Sequence, residues 1–218
     1  MPSWSFVQSG FAGARAIGAD WPPMDHETIT VVSGLPRSGT SMMMKMLEAG
    51  GLAVLTDNLR TADEDNPKGY FEFERVKKLA QDQSWLSEAK GKVVKVISAL
   101  LRHLPATYRY RVVFMQREMA EVLASQRQML VRRGQPADGD DAKMADAFRR
   151  HLGDVEKWLA QQSNMPTLFI SYNAILQHPA EETARLNQFF DNALDAAAMM
   201  EVVDRALHRQ RREERERL

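Results

Sequence analysis

The chain has 218 residues, a length that predicts one domain, over 1–218, with a sizeable core. Lys plus Arg equals Asp plus Glu at 29 each, so no global field draws it to nucleic acid or an anionic membrane. The absence of cysteine excludes disulfides, thiolate metal sites and cysteine nucleophiles.

Residues 1–26 hold Gly, Pro and small residues without a clear period and read as an irregular lead-in. The stretch has no continuous apolar core, which argues against a signal peptide, and no run long enough to span a membrane follows. A cytoplasmic protein is therefore expected. Thr28 to Ser33 predicts the first strand, a glycine-flanked loop follows, and a Met-rich helix leaves it. That helix is expected to bury Met42, Met43, Met46 and Leu47 and to end at Gly50-Gly51. Leu52 to Leu55 predicts a short strand, and residues 57–69 a polar loop with Asn66-Pro67 and Gly69 as turn signals. Val76, Leu79, Ala80 and Leu86 recur at helical spacing and predict a helix over 73–90.

Val93 to Ile97 and Arg111 to Met115 read as strands, with helical periodicity from Glu118 to Arg132. A Gly- and Asp-rich loop, a helix over 142–162, a strand over Thr167 to Ser171 and a helix over Pro179 to Phe190 follow. The mixed charges of 202–218 predict a solvated C-terminal helix. Apolar strands alternating with helices, without hairpin signals, specify an α/β fold: three α/β/α layers on a parallel sheet of about five strands. In such sheets ligands bind beyond the carboxyl ends of the strands.

The loop after the first strand is the segment richest in chemistry. Its residues Gly34-Leu35-Pro36-Arg37-Ser38-Gly39-Thr40-Ser41 join strand to helix, so loop amides and the positive helix end would face an anion. A nucleoside-triphosphate loop needs Lys after its second glycine. Thr40 stands there, and a basic residue, Arg37, lies inside the loop instead. A second anion anchor follows the fourth strand: Arg117 at its end, and Ser125 eight positions later at the edge of the next helix's apolar face. A donor fork and a short hydroxyl suit a phosphate.

Pro36-Arg37-Ser38-Gly39-Thr40-Ser41 resembles the 5′-phosphosulfate loop of sulfotransferases, P-[KR]-[ST]-G-T-[ST], within a P-loop NTPase-like fold. The Arg117–Ser125 spacing resembles that family's 3′-phosphate segment. The resemblance implies transfer of a sulfuryl group from 3′-phosphoadenosine 5′-phosphosulfate (PAPS) to a hydroxyl or amine, with adenosine 3′,5′-bisphosphate as product and no metal required. Pro36 to Ser41, Arg117 and Ser125 would bind the donor, and Arg37 would also steady the leaving oxygen. Tyr172, just past the fifth strand, would either contact the nucleotide or cap the core. Arg209 and Arg211 are further basic residues, but the family's late R-K-G loop is absent.

The family's placement of a base after a G-[YFH]-[FW] step implies Glu72 as the general base. Asp57, Asp63, Glu64, Asp65 and Glu74 are nearby competitors, and none of the five histidines sits in a base motif. Lys95, in an apolar strand, could line the cleft floor or snorkel at the strand end. The partner is a small-molecule or peptide acceptor of unspecified identity. The competing functions are a divergent P-loop kinase and a nucleotide-binding scaffold that has lost catalysis.

Overall fold

A computed structural model of the chain describes residues 23, 25–57, 71–136 and 139–203. Five strands form one parallel sheet: β1 (Thr28–Gly34), β2 (Ala53–Val54), β3 (Lys92–Lys95), β4 (Arg109–Gln116) and β5 (Thr167–Ser171). The order across the sheet is β2-β3-β1-β4-β5, which puts β1 at the centre and every carboxyl end on one edge. All seven residues of β1 are buried, as expected of a strand covered on both faces.

Side-chain alternation divides the core in two. Val32, Val93, Val113, Met115 and Ile170 point to one face, against α1 (Thr40–Ala49). After α2 (Met119–Arg132) and α3 (Asp141–Leu159) in chain order, α4 (Tyr172–Gln177), α5 (Pro179–Phe189) and α6 (Ala196–Glu201) complete that layer. Ile29, Val31, Val94, Val112 and Phe114 face the other side, against α3 (Asp141–Leu159). α2 (Met119–Arg132) leaves the carboxyl end of β4 and leads to α3. In α1 the buried set is Met43, Met44, Met46 and Leu47, with Met42 half-buried, because both the sheet and α6 cover this helix.

The helix expected over 73–90 is absent. Two 3-10 turns, Glu74–Lys78 and Ser84–Ser87, take its place. The Asp82 carboxylate accepts from the backbone N–H and the hydroxyl of Ser84, a local alternative to helical bonding. Hydrogen bonds from Ser84 and Arg75 hold Asp82 down to a pKa of about 2. Val76, Leu79, Trp85 and Leu86 still enter the core, since spacing by three fits a 3-10 turn as well as an α-helix. Ala80, expected on the apolar face, is exposed.

Two short helices, α4 and α6, and a 3-10 segment over Ser98–His103 add to the elements read from sequence. The loop 57–69 lies, apart from Asp57, outside the described residues, as does the lead-in apart from 23, 25 and 26. The charged C-terminal segment is described only to Val203, where Val202 forms a turn. Among the described residues no helix is long and apolar enough to cross a membrane.

Candidate active site

The loop between β1 and α1 sits at the carboxyl end of the central strand. Gly39, with φ 97° and ψ 12°, occupies the left-handed region at the helix N-cap. It supplies no side-chain cap to the first turn of α1, and a helix N-terminus favours an anion beside it. A Cβ on Gly39 would come within 2.4 Å of the Tyr172 ring, so glycine is required by contact as well as by φ. Arg37 also lies in the left-handed region, at φ 70°, which is uncommon for a residue with a side chain.

Two long-range contacts hold Arg37 there. Its Nε donates to Ser125 Oγ at 2.9 Å, and its carbonyl accepts from Arg117 Nη1 at 3.1 Å. Residues widely separated in sequence thus meet at one sheet edge: the loop, the end of β4, and the buried face of α2. Pro36 is exposed at the loop tip, and Thr40 and Ser41 are half-buried at the start of α1. Ser38 differs from them. Its hydroxyl is buried against Gly34 and has no partner among the described residues, so it does not open to solvent.

Arg117 is held on three sides. Its Nε donates to Glu121 Oε2 at 2.9 Å, its Nη1 to the Arg37 carbonyl, and its guanidinium lies 4.4 Å from the centroid of the Tyr172 ring. Both partners of the Arg117–Glu121 pair are 8 % exposed. Tyr172, the first residue of α4, is buried between Arg117 and Gly39. It therefore acts as a platform for the arginine and the loop. Asn173 follows and donates from Nδ2 to Glu121 Oε1 at 3.0 Å. Its Oδ1 accepts from the Glu118 N–H at 3.3 Å, which ties the start of α4 to the start of α2. Sequence reasoning missed Glu121 and Asn173. For Glu121 the signal was available, since it lies four residues after Arg117 on a helix.

Glu72 stands elsewhere along the edge. Thr56 Oγ1 and the Asp57 N–H donate to the Glu72 carbonyl at 2.8 and 3.3 Å, and Asp57 accepts from the Glu74 N–H at 2.6 Å. These bonds stitch 72–74 to the chain just beyond β2. Since β3 lies between β2 and β1, the segment sits toward the β2 end of the sheet edge. Phe71, at φ 51°, packs with the α1-side core, and Lys45 of α1 lies 5.9 Å from its ring centroid. Asp63, Glu64 and Asp65, the other acidic candidates, lie outside the described residues, as do Arg209 and Arg211.

Lys95, half-buried, is the last residue of β3, the strand between β1 and β2. Alternation from Val93 puts it on the α1 side of the sheet. His26 precedes β1 at the opposite edge of the sheet, and His151 of α3 shares a 2.8 Å hydrogen bond with Ser98 Oγ. Among the described residues no group of three or more His, Asp or Glu could hold a metal ion.

A family profile described as the sulfotransferase domain matches residues 27–215, the span that contains every element above. The chain belongs to the sulfotransferase family. Among solved structures, the sulfotransferase STF1 of Mycobacterium tuberculosis H37Rv is similar with a TM-score of 0.52 at 18% identity. That match covers 81% of this chain and 71% of STF1. The sulfotransferase domain of the Synechococcus PCC 7002 olefin synthase is similar with a TM-score of 0.50 at 13% identity, over 90% of this chain and 84% of that domain. At such identities the likeness is one of fold. No curated protein sequence is a significant match. Membership of the family makes the protein a transferase, and its five-stranded parallel sheet is the fold it shares with these sulfotransferases.

Proposed function

We propose that the protein uses PAPS as its sulfuryl donor and transfers the group to an acceptor hydroxyl or amine by in-line displacement. The observation that carries this reading is the convergence of Arg37, Arg117 and Ser125 on one loop at the carboxyl end of β1. The donor set fits a ligand with two phosphate groups. It combines two guanidinium groups, hydroxyls and a bare helix N-terminus, and the Arg117 Nη2 has no partner among the described residues. When bound, the donor supplies an activated sulfuryl group with the adenosine bisphosphate as leaving group.

In this reading the Pro36–Ser41 loop, with Thr40, Ser41 and the first-turn N–H groups of α1, holds the 5′ side. The free edge of Arg117 and the Ser125 hydroxyl read the 3′-phosphate. Arg37 bridges the two and neutralises charge on the leaving oxygen, an electrostatic role that needs no metal. Glu72 takes the proton from the acceptor. Its place at the β2 end of the sheet edge, away from the donor loop on β1, suits a base that acts on an acceptor bound beside the donor. The acceptor is a small molecule or a peptide bound over the ends of β2 and β3.

A thermal-shift titration with adenosine 3′,5′-bisphosphate, AMP and Mg-ATP tests the donor assignment, because a ligand of the folded state raises the melting temperature. The expected result is a saturable shift with the bisphosphate and little with AMP. A shift with Mg-ATP and none with the bisphosphate would sink it in favour of phosphoryl transfer.

A further inference from the structure

Arg117 is the cation best placed to read the donor's 3′-phosphate, yet a carboxylate already holds it. The Arg117–Glu121 pair is almost wholly buried, and Glu121 is fixed from behind by Asn173 Nδ2 at 3.0 Å. With Nε spent on Glu121, Nη1 on the Arg37 carbonyl and one face on Tyr172, Nη2 is left without a partner among the described residues. Glu121 therefore does two things of opposite sign. It orients the guanidinium, which favours binding, and it puts a negative charge within one side-chain length of an arriving phosphate, which opposes it.

Resting on the donor reading above, we propose that Glu121 is a positioning residue and counter-charge that sets how tightly the 3′-phosphate is held. Arg37 and Arg117 bring two positive charges to the cluster, and Glu121 returns one. Among these three residues the net charge is one before ligand arrives, which lets the site discriminate by geometry without retaining the bisphosphate product too strongly. A neutral residue of the same shape would keep the first function and remove the second. In a poorly solvated site an uncompensated charge of this kind has a large effect.

Substitution separates the two functions. In Glu121→Gln the amide oxygen still accepts from Arg117 Nε while the charge is gone; the Gln NH2 replaces the acceptor of Asn173 Nδ2, so Asn173→Ala is the reference for that lost bond. Adenosine 3′,5′-bisphosphate should then bind about five- to ten-fold more tightly by isothermal titration, with slower release in a stopped-flow displacement. In Glu121→Ala the arginine loses its anchor, and affinity should fall below the wild-type value. AMP, which lacks the 3′-phosphate, should bind both variants within about two-fold of wild type, a control that general damage to the fold would fail. Asn173→Ala, which loosens Glu121 without touching its charge, should resemble a mild Glu121→Ala.

Bisphosphate binding by Glu121→Gln no tighter than by Asn173→Ala, which shares the lost Asn173 bond but keeps the charge, overturns the counter-charge. Parallel losses for AMP and bisphosphate in the Ala variant would reduce Glu121 to a scaffold residue and overturn the positioning role. A wild-type protein that ignores the bisphosphate altogether would remove the donor reading itself, an outcome visible before any variant is made.

Discussion

The two ends of the sheet edge are built differently. Around β1, β4 and β5 the side chains lock one another across long stretches of sequence. Arg37 meets Ser125, Arg117 meets Glu121 and the loop carbonyl, and Tyr172 lies under both Arg117 and Gly39. Around β2 the contacts are mostly to backbone: Thr56 and Asp57 hold 72–74, and the chain continues in short 3-10 turns. Positioning by packed side chains suits recognition of a fixed ligand, because little must move when it binds. Bonds to the main chain of 72–74 fix the path of that segment rather than one particular side-chain arrangement. The difference implies that donor binding and turnover can be broken separately.

The sharpest break is at Glu72. Glu72→Gln should lower turnover with any accepted substrate by about 100- to 1000-fold, the range for loss of a general base. Bisphosphate affinity should stay within about two-fold of wild type, since Glu72 lies two strands from the loop. A parallel fall in both would show that the two ends are not independent.

Arg117→Ala breaks the opposite end. On the proposed donor assignment it removes charge-assisted bonding to the 3′-phosphate, which should weaken bisphosphate binding about 100-fold. It also takes its buried ion partner from the Glu121 carboxylate, which keeps the Asn173 bond, and removing one partner of a buried pair costs about 3 kcal/mol. Chemical denaturation should therefore show a large drop in stability. The double variant Arg117→Ala/Glu121→Ala should recover most of the stability and none of the affinity, which separates holding the fold from reading the ligand.

Gly39→Ala acts on the seam between loop and platform. A residue with a Cβ at φ 97° is strained, and that Cβ would strike the Tyr172 ring at 2.4 Å. A loss of about 2–3 kcal/mol is expected, together with loss of the bisphosphate-induced thermal shift. Stability lost with the shift intact would mean that Tyr172 can move aside without disturbing the loop.

The same division marks what could be read from sequence. β1, the loop and β5 carry local signals: β-branched runs, paired glycines, and a basic residue where a lysine would otherwise follow the second glycine. The Arg117–Ser125 spacing was legible because α2 is a regular helix with one apolar face. The role of Tyr172 was not, since its partners Gly39 and Arg117 lie far away in sequence and either reading fits an aromatic after a strand. Glu121 was hidden by its ordinariness, a glutamate in a helix rich in polar residues. At the β2 end, the side chain of Asp82 broke a helix that apolar spacing alone predicted. A spacing of three cannot tell a 3-10 turn from an α-helix, and only the local capping residue decides.

The smallest expected effect concerns the wall behind Arg117. Gln116, the last residue of β4, donates to Glu156 Oε1 of α3 at 3.0 Å, and burial raises the Glu156 pKa above the ordinary 4.5 despite that bond. A carboxyl raised in this way favours the folded state while protonated. That contribution is complete below the ordinary value and is lost as pH rises through the folded one. At neutral pH the ionised group is a mild liability, so Glu156→Gln should raise the melting temperature near pH 7 and leave it unchanged near pH 4. Glu156 is only half-buried, and solvent screening keeps the gain below about 1 kcal/mol, or a few degrees at most. If the gain at pH 7 came with weaker bisphosphate binding, the wall would be coupled to Arg117 through Gln116. Unchanged binding would confine the preorganised donor end to the loop, α2 and α4.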